Sequence, residues 1–200
     1  MSPHFLFNVL NNLQSVILLK DILTVNKYFT AFAKTLRQTL DFTRRDWITL
    51  DEEESYLKNY IILNELQFGD QFQIKMNGLQ EIENKNNIYL PSMFLQPFIE
   101  NAILHGLMPK ITEPKTLDLN FTTFQKDTID YLKIEIIDNG VGRKLQNHSK
   151  TETSHATDIL KERLKIWNLE DNSKISFEII DQVHNGNPTG TIVSILIKFT

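Results

Sequence analysis

The spacing of apolar residues changes period once along this 200-residue chain, and that change constrains the fold more than any other feature. Up to residue 69 apolar positions recur every three or four residues; beyond it they form short runs between polar turns. A step of three or four keeps side chains on one face of a helix, whereas a step of two keeps them on one face of a strand. A helical segment over 1–69 and an α/β segment over 70–200 are therefore expected.

Within the helical part, Leu6, Leu10, Leu13 and Ile17 hold one phase, and Ile22, Val25, Phe29, Phe32, Leu36 and Leu40 hold another. The step from Ile17 to Ile22 joins neither, which predicts a kink or a new helix capped by Asp21 or Thr24. A turn containing Trp47 (Arg44-Arg45-Asp46-Trp47) closes that helix. Thr49-Leu50-Asp51-Glu52 then reads as a capping box, with Asp51, Glu52 and Glu53 at the positive end of the helix dipole. Leu57, Ile61 and Phe68, flanked by Tyr60 and Leu63, give the apolar stripe, and Gly69 a C-terminal cap. An antiparallel helical hairpin of this kind leaves a stripe uncovered, and a second copy covers it as a four-helix bundle.

Beyond residue 70 the pattern predicts strands at 71–76, 88–90, 116–124, 131–137, 175–180 and 191–199. A Pro-started helix runs to about Leu107 and another covers 158–169, with turns at Lys126-Asp127 and Asn185-Gly186-Asn187-Pro188.

Composition removes whole classes. Without Cys there is no disulfide framework, thiolate zinc site or cysteine nucleophile. No run approaches the roughly 18 apolar residues of a membrane span. The net charge of −4 argues against nucleic acid as a direct partner. It is uneven: residues 1–50 carry six Lys/Arg against three Asp/Glu, so the remainder is acidic. Met1-Ser2-Pro3 leads straight into a dense apolar helix, and the chain is expected to be cut from something longer.

Three clusters carry possible chemistry: Pro3-His4-Phe5-Leu6-Phe7-Asn8, Glu100-Asn101-Ala102-Ile103-Leu104-His105-Gly106 and Asp138-Asn139-Gly140-Val141-Gly142. Taken singly, His4 reads as a structural histidine, and Glu100, Asn101 and His105 as a solvated helix face. Asp138-Asn139-Gly140 reads as a type I′ hairpin turn. The residues after Gly142 are basic and polar and do not alternate, so a loop is expected there instead. Together the clusters suit a nucleotide. A carboxylate at a strand end offers acceptors to an adenine amine. Gly140 and Gly142 let the backbone approach closely. The Asn101 amide oxygen suits Mg²⁺, and His105 lies one turn on. No GxxxxGK[ST] phosphate loop occurs in the chain.

These residues carry a family resemblance. Pro3-His4-Phe5-Leu6-Phe7-Asn8 with Leu10-Asn11 resembles the phospho-acceptor motif of LytS-type sensor histidine kinases. Glu100-Asn101-Ala102 with His105-Gly106 resembles the N box of the GHKL (Bergerat) ATP-binding fold, and Asp138-x-Gly140-x-Gly142 its first glycine box. Lys161-Glu162-Arg163-Leu164 resembles the helix after the ATP lid, and Gly190-Thr191 the last strand. The resemblance spans essentially the whole chain. It implies an α+β fold in which the dimerising hairpin (1–69) precedes a GHKL-type α/β sandwich (70–200).

It further implies a protein histidine kinase with His4 as phospho-acceptor and ATP and Mg²⁺ as cofactors. Asn101, His105, Gly106, Asp138, Gly140, Gly142, Arg143, Lys144 and Thr191 would bind the nucleotide, and Asn101 the metal. Phe5 follows the histidine where other kinase classes place an acid, so Glu100 is the candidate base and Asn8 a candidate orienting residue. The implied partners are a second copy and a response-regulator receiver of the LytTR type. The implied setting is the cytoplasmic part of a bacterial inner-membrane sensor, reaching the membrane only through segments outside this sequence. Ala156 stands where the family places a glycine and Leu104 where relatives carry a base. A signalling scaffold with weak or absent turnover is therefore the first alternative, and a gyrase- or chaperone-like ATPase the second.

Overall fold

A computed structural model describes residues 8–14, 17, 21–143, 160–168 and 175–199. The chain divides into two compact units, 1–72 with 84–93, and 73–83 with 94–200. The expected boundary at residue 69 lies three residues before that division, and the short segment 84–93 is drawn into the first unit.

The first unit holds α1 (8–14), α2 (Ile22–Phe42) and α3 (Leu50–Phe68). Of the two candidate caps it is Asp21 that starts α2, accepting from the Leu23 and Thr24 amides at 3.0 Å each. The α3 capping box forms as read: the Glu52 amide donates to Thr49 Oγ1 at 3.2 Å and the Thr49 amide to Glu52 Oε2 at 2.8 Å. Gly69 ends the helix at a φ of 59°. Lys27 meets Glu65 at 3.2 Å and Gln38 meets Ser55 at 3.3 Å, so α2 and α3 run antiparallel.

Trp47 does not end a turn. It opens β1 (Trp47–Thr49), which pairs antiparallel with β3 (Tyr89–Pro91), setting Ile48 opposite Leu90. Both residues are fully buried. A partner some forty residues away is invisible to local pattern, and so is the strand it creates.

The face by which α2 packs differs from its apolar stripe. Its buried residues are Ala31, Thr35 and Phe42, and at 3.6 residues per turn these lie on the side opposite Ile22, Phe29 and Leu40. Ile22 is 69% exposed and Leu40 57%. α3 is the reverse, with Tyr56, Leu57, Tyr60 and Leu63 all buried. It also buries two acids. Burial pushes Glu54 up, but bonds and charge from Lys58 (2.6 Å) and Lys85 outweigh it and leave the carboxyl below its ordinary value. Glu53 gains no such offset, and burial pushes it up to about 8.

The second unit is a five-stranded sheet of β2 (Phe72–Asn77), β4 (Lys115–Lys126), β5 (Ile129–Asp138), β6 (Ile175–His184) and β7 (Asn187–Phe199). The order is β2-β4-β5-β7-β6, with β4–β5, β5–β7 and β7–β6 antiparallel. One face buries Leu117, Leu119, Leu132, Ile134, Ile136, Ile195 and Ile197. α4 (Gln96–Asn101) and α5 (160–168) supply the opposing layer through Phe98, Ile99, Leu164 and Trp167, all buried. Phe98 meets Phe177 edge-on, ring centroids 5.0 Å apart.

Four boundaries move from their expected places. Met93, at a φ of 60°, holds the chain out of helix after Pro91, so α4 starts at Gln96 with Pro97 in its first turn. The β4–β5 turn is Asp127-Thr128, one residue later, because both take the left-handed backbone that a two-residue hairpin turn demands. Asn185-Gly186 alone makes the β6–β7 turn, and the polar residues beside it continue the ladder past a bulge between Gln182 and Val183. Finally, α4 runs on into a π-helical segment, Ala102–Leu107.

Candidate functional site

The site is built where α4 runs out and β5 ends. The wider π winding carries the chain through Ala102–Leu107, closing with the Met108 amide on the Ile103 carbonyl at 2.9 Å. Such segments are uncommon and recur at functional sites. Asn101 is half-buried just before it, and His105 is exposed within it. Wider winding sets His105 slightly short of a full turn from Asn101, rather than directly above it. Glu100 is half-buried, with Oε1 accepting from Gln96 Nε2 at 2.8 Å.

Asp138 is the last residue of β5 and is 2% exposed. Burial pushes its carboxyl above its ordinary value, against hydrogen bonds from Thr191 and Gly140 and the charge of Lys110. The Gly140 amide donates to Oδ1 at 2.9 Å and Thr191 Oγ1 donates to Oδ2. A carboxylate has about four lone-pair sites, and with the Thr191 amide as a third donor one remains for a group such as an amino group on a base.

Three glycines let backbone close around Asp138. A Cβ at Gly106 would stand 2.8 Å from Asp138 Oδ1, one at Gly140 would strike the Gly106 backbone, and one at Gly190 the Asp138 carbonyl. The Val141 amide donates to the Gly106 carbonyl at 3.0 Å, tying the loop to the helix end. The structure thus brings Gly106, Asp138, Gly140 and Thr191 together. Gly142, at a φ of 67°, sits beside Pro188. The loop reading of residues 138–142 holds: the Asn139 side chain accepts from the Thr116 amide and donates to the Pro114 carbonyl, both at 2.9 Å, instead of turning a hairpin.

Arg143 is engaged elsewhere. Its Nε and Nη2 grip Asp181 at 2.6 and 3.0 Å on β6. Asn8 is half-buried in α1, in the first unit. His4, Lys144 and Ala156 lie outside the described residues. Leu104 is 40% exposed on the π segment.

Sequence reasoning passed over Gly190 as a site residue, Asn139 as a bridge, and Lys110, whose Nζ donates to the Pro114 carbonyl at 2.9 Å. Gly190 lay next to Thr191 and an unbroken strand pattern, and an isolated strand glycine signals close backbone approach. Nothing in the local pattern marks Lys110. As to a bound group, Asp138 with an unused acceptor site fits an adenine amine, and the Asn101 amide oxygen fits Mg²⁺.

The histidine kinase family model matches residues 1–72. The chain is 33% identical over 109 residues to the sensor histidine kinase YpdA of Escherichia coli, covering 54% of this chain and 18% of YpdA. It is 29% identical over 140 residues to the sensor protein kinase HptS of Staphylococcus aureus, covering 70% of this chain and 25% of HptS. It therefore spans a quarter or less of these relatives' lengths. Among solved structures, the histidine kinase domain of the Erythrobacter litoralis EL346 blue-light activated histidine kinase aligns over 87% of this chain and 74% of its own. The TM-score is 0.49 and the identity 13%. By the match over residues 1–72 and these sequence relatives, the chain is similar to sensor histidine kinases.

Proposed function

We propose that this chain is the catalytic core of a two-component sensor kinase, with residues 1–69 dimerising and presenting His4 and residues 70–200 binding Mg-ATP. In the reaction, a ring nitrogen of His4 attacks the γ-phosphorus and the bond to the β-phosphate oxygen breaks. Its electron pair leaves on ADP, and the proton of the other ring nitrogen passes to a base. Glu100 is that base and Asn8 orients the imidazole. The phosphoryl group then moves to an aspartate of a response-regulator receiver, for which a LytTR-type regulator is the expected source. No helix among the described residues is long and apolar enough to cross a membrane. In this reading the chain is the cytoplasmic part of a membrane-anchored sensor.

One observation carries the reading: a strand-end carboxylate, buried and hydrogen-bonded yet with an acceptor site to spare, where glycines let backbone close around Asp138. Mg²⁺, held through Asn101 and the phosphates, would offset charge on the transferring group. The uncovered α2 stripe supports the homodimer.

A second reading, a scaffold with weak turnover, is favoured by two details. Leu104 presents an apolar surface where a base would serve phosphate, and Arg143 is already occupied by Asp181.

Radiolabelled Mg-ATP separates the two. The kinase reading expects protein label that is lost in acid, stable in alkali and absent in His4→Gln. Nucleotide affinity that stays within about twofold in that variant would fit a residue contributing chemistry without ground-state binding. Asp138→Ala should weaken ATP and ADP alike by about ten- to a hundredfold, the range of a lost hydrogen bond to charge. Normal nucleotide affinity with no acid-labile label would overturn the kinase reading in favour of the scaffold.

A further inference from the structure

Gln96 opens α4 and is only 3% exposed, among the buried side chains of Phe94, Leu95, Phe98 and Ile99. Its Nε2 donates to Glu100 Oε1 at 2.8 Å, while its own Oε1 is buried with no hydrogen-bond partner among the described residues. A half-satisfied buried amide is destabilising, so packing alone would be better served here by Leu or Met. The amide's orientation follows from its neighbour, because an ionised carboxylate only accepts and must be offered the nitrogen.

Resting on the reading of Glu100 as the base, we infer that Gln96 is a positioning residue that holds the Glu100 carboxylate through the proton transfer. A carboxylic acid's carbonyl oxygen accepts as a carboxylate oxygen does. With the proton taken up at Oε2, the bond to Oε1 persists and Glu100 keeps its rotamer in both protonation states. One turn of helix separates the two residues, so the hold is set by backbone rather than by a mobile loop. The orphaned Gln96 Oε1 is the cost of a donor aimed at one oxygen.

Gln96→Met keeps the volume and removes the donor. It is expected to lower kcat for acid-labile labelling about tenfold, in the range of misplaced general-base groups, with KM for ATP within about twofold. Its melting temperature should hold or rise, since the unsatisfied acceptor has gone. Gln96→Asn, too short to span the turn, should repeat the kcat loss if the methionine variant folds poorly. The Gln96 side-chain amide resonances should move in Glu100→Ala whatever the turnover. Unmoved resonances overturn the hold on Glu100. Retained kcat in Gln96→Met, or a KM that rises in step with its loss, overturns the positioning role. A wild-type chain that binds Mg-ATP without taking label overturns the kinase reading instead, and moved resonances would then leave the hold itself standing.

Discussion

The two units break the rule of apolar inside and polar outside in opposite ways. In the helical unit, α2 turns Ile22 and Leu40 outward and packs through Ala31 and Thr35, while α3 takes Glu53 and Glu54 inward. In the sheet unit, β4, β5 and β7 bury alternate apolar side chains faithfully until the end of β5, where the next inward position is Asp138. A violation spread along a helix face marks a surface that wants another chain. A violation confined to one residue at a strand end marks a place for a small ligand. The same departure from pattern thus teaches different things according to its extent.

The sharpest way to break the ligand side of this contrast is Gly140→Ala. Its Cβ would be driven into the Gly106 backbone, and backbone has no rotamer to yield. The variant is expected to lose nucleotide binding altogether and to unfold the sheet unit some 3 kcal/mol or more earlier, the scale of overpacking at a closed site. Calorimetry and a denaturant titration read both. A variant with native stability would show that the glycines do not hold the helix end against Asp138.

On the helical side, Glu53 gives a pH signature. Between about 4.5 and about 8 the unfolded chain has released this proton and the folded chain has kept it. Stability should therefore fall as pH rises through that window, by about 1.4 kcal/mol per unit, and level off above it. Glu53→Gln should flatten that slope. Glu54 works the other way: its carboxyl is held below the ordinary value, so Glu54→Gln should cost stability at neutral pH and little in acid. Denaturant midpoints from pH 4 to 9 test both, and a wild-type slope unchanged in Glu53→Gln would contradict the assignment.

The uncovered stripe predicts a smaller but cleaner effect. Phe29→Lys with Leu40→Lys alters residues that are 41% and 57% exposed in the single chain. Monomer stability should change by less than about 0.5 kcal/mol for each, as for ordinary surface positions. Self-association, which would bury each side chain for about 1.5–3 kcal/mol, should weaken by tenfold or more. Sedimentation over a concentration series shows this directly. Strictly monomeric wild-type chain at high concentration would remove the second copy as the stripe's partner.

How much of this was legible in the sequence depends on how far each signal reaches. The capping box at Thr49 and Glu52 and the Gly69 stop are local chemistry and formed as read, and of the two candidate caps for α2 it is Asp21 that formed. The change of period near residue 69 anticipated the change from helices to sheet. The strand at 88–90 was legible, but β1 and its pairing with β3 were not, because Trp47 and Pro91 are far apart in sequence and three residues carry no pattern. Nor was the π winding of Ala102–Leu107, since its one poor helix former, Gly106, signals a helix end as readily as a wider turn. Of the site, Asp138, Gly106, Gly140 and Thr191 were found by motif and are in contact. Lys110 and Asn139 act through a loop whose path no periodicity describes.

The smallest effect separates two roles for Arg143. Its guanidinium is about half exposed and grips Asp181, so the pair itself should be worth no more than about 1 kcal/mol. Asp181→Asn is therefore expected to leave stability nearly unchanged. If Arg143 serves phosphate once a nucleotide arrives, the pair competes with that use, and releasing it should raise ATP affinity by at most about fivefold, the equivalent of that energy. Adenosine, which has no phosphate, should bind Asp181→Asn and the wild type equally. Arg143→Ala should lose ATP affinity and leave adenosine unmoved. If ATP and adenosine instead respond alike to both substitutions, Arg143 belongs to β6, where it also reaches the Ile179 carbonyl at 3.4 Å along the sheet edge. A cation satisfying edge carbonyls blunts strand-to-strand pairing. Arg143 would then protect the sheet's edge, and the nucleotide's phosphates would have to find their positive partner among other residues.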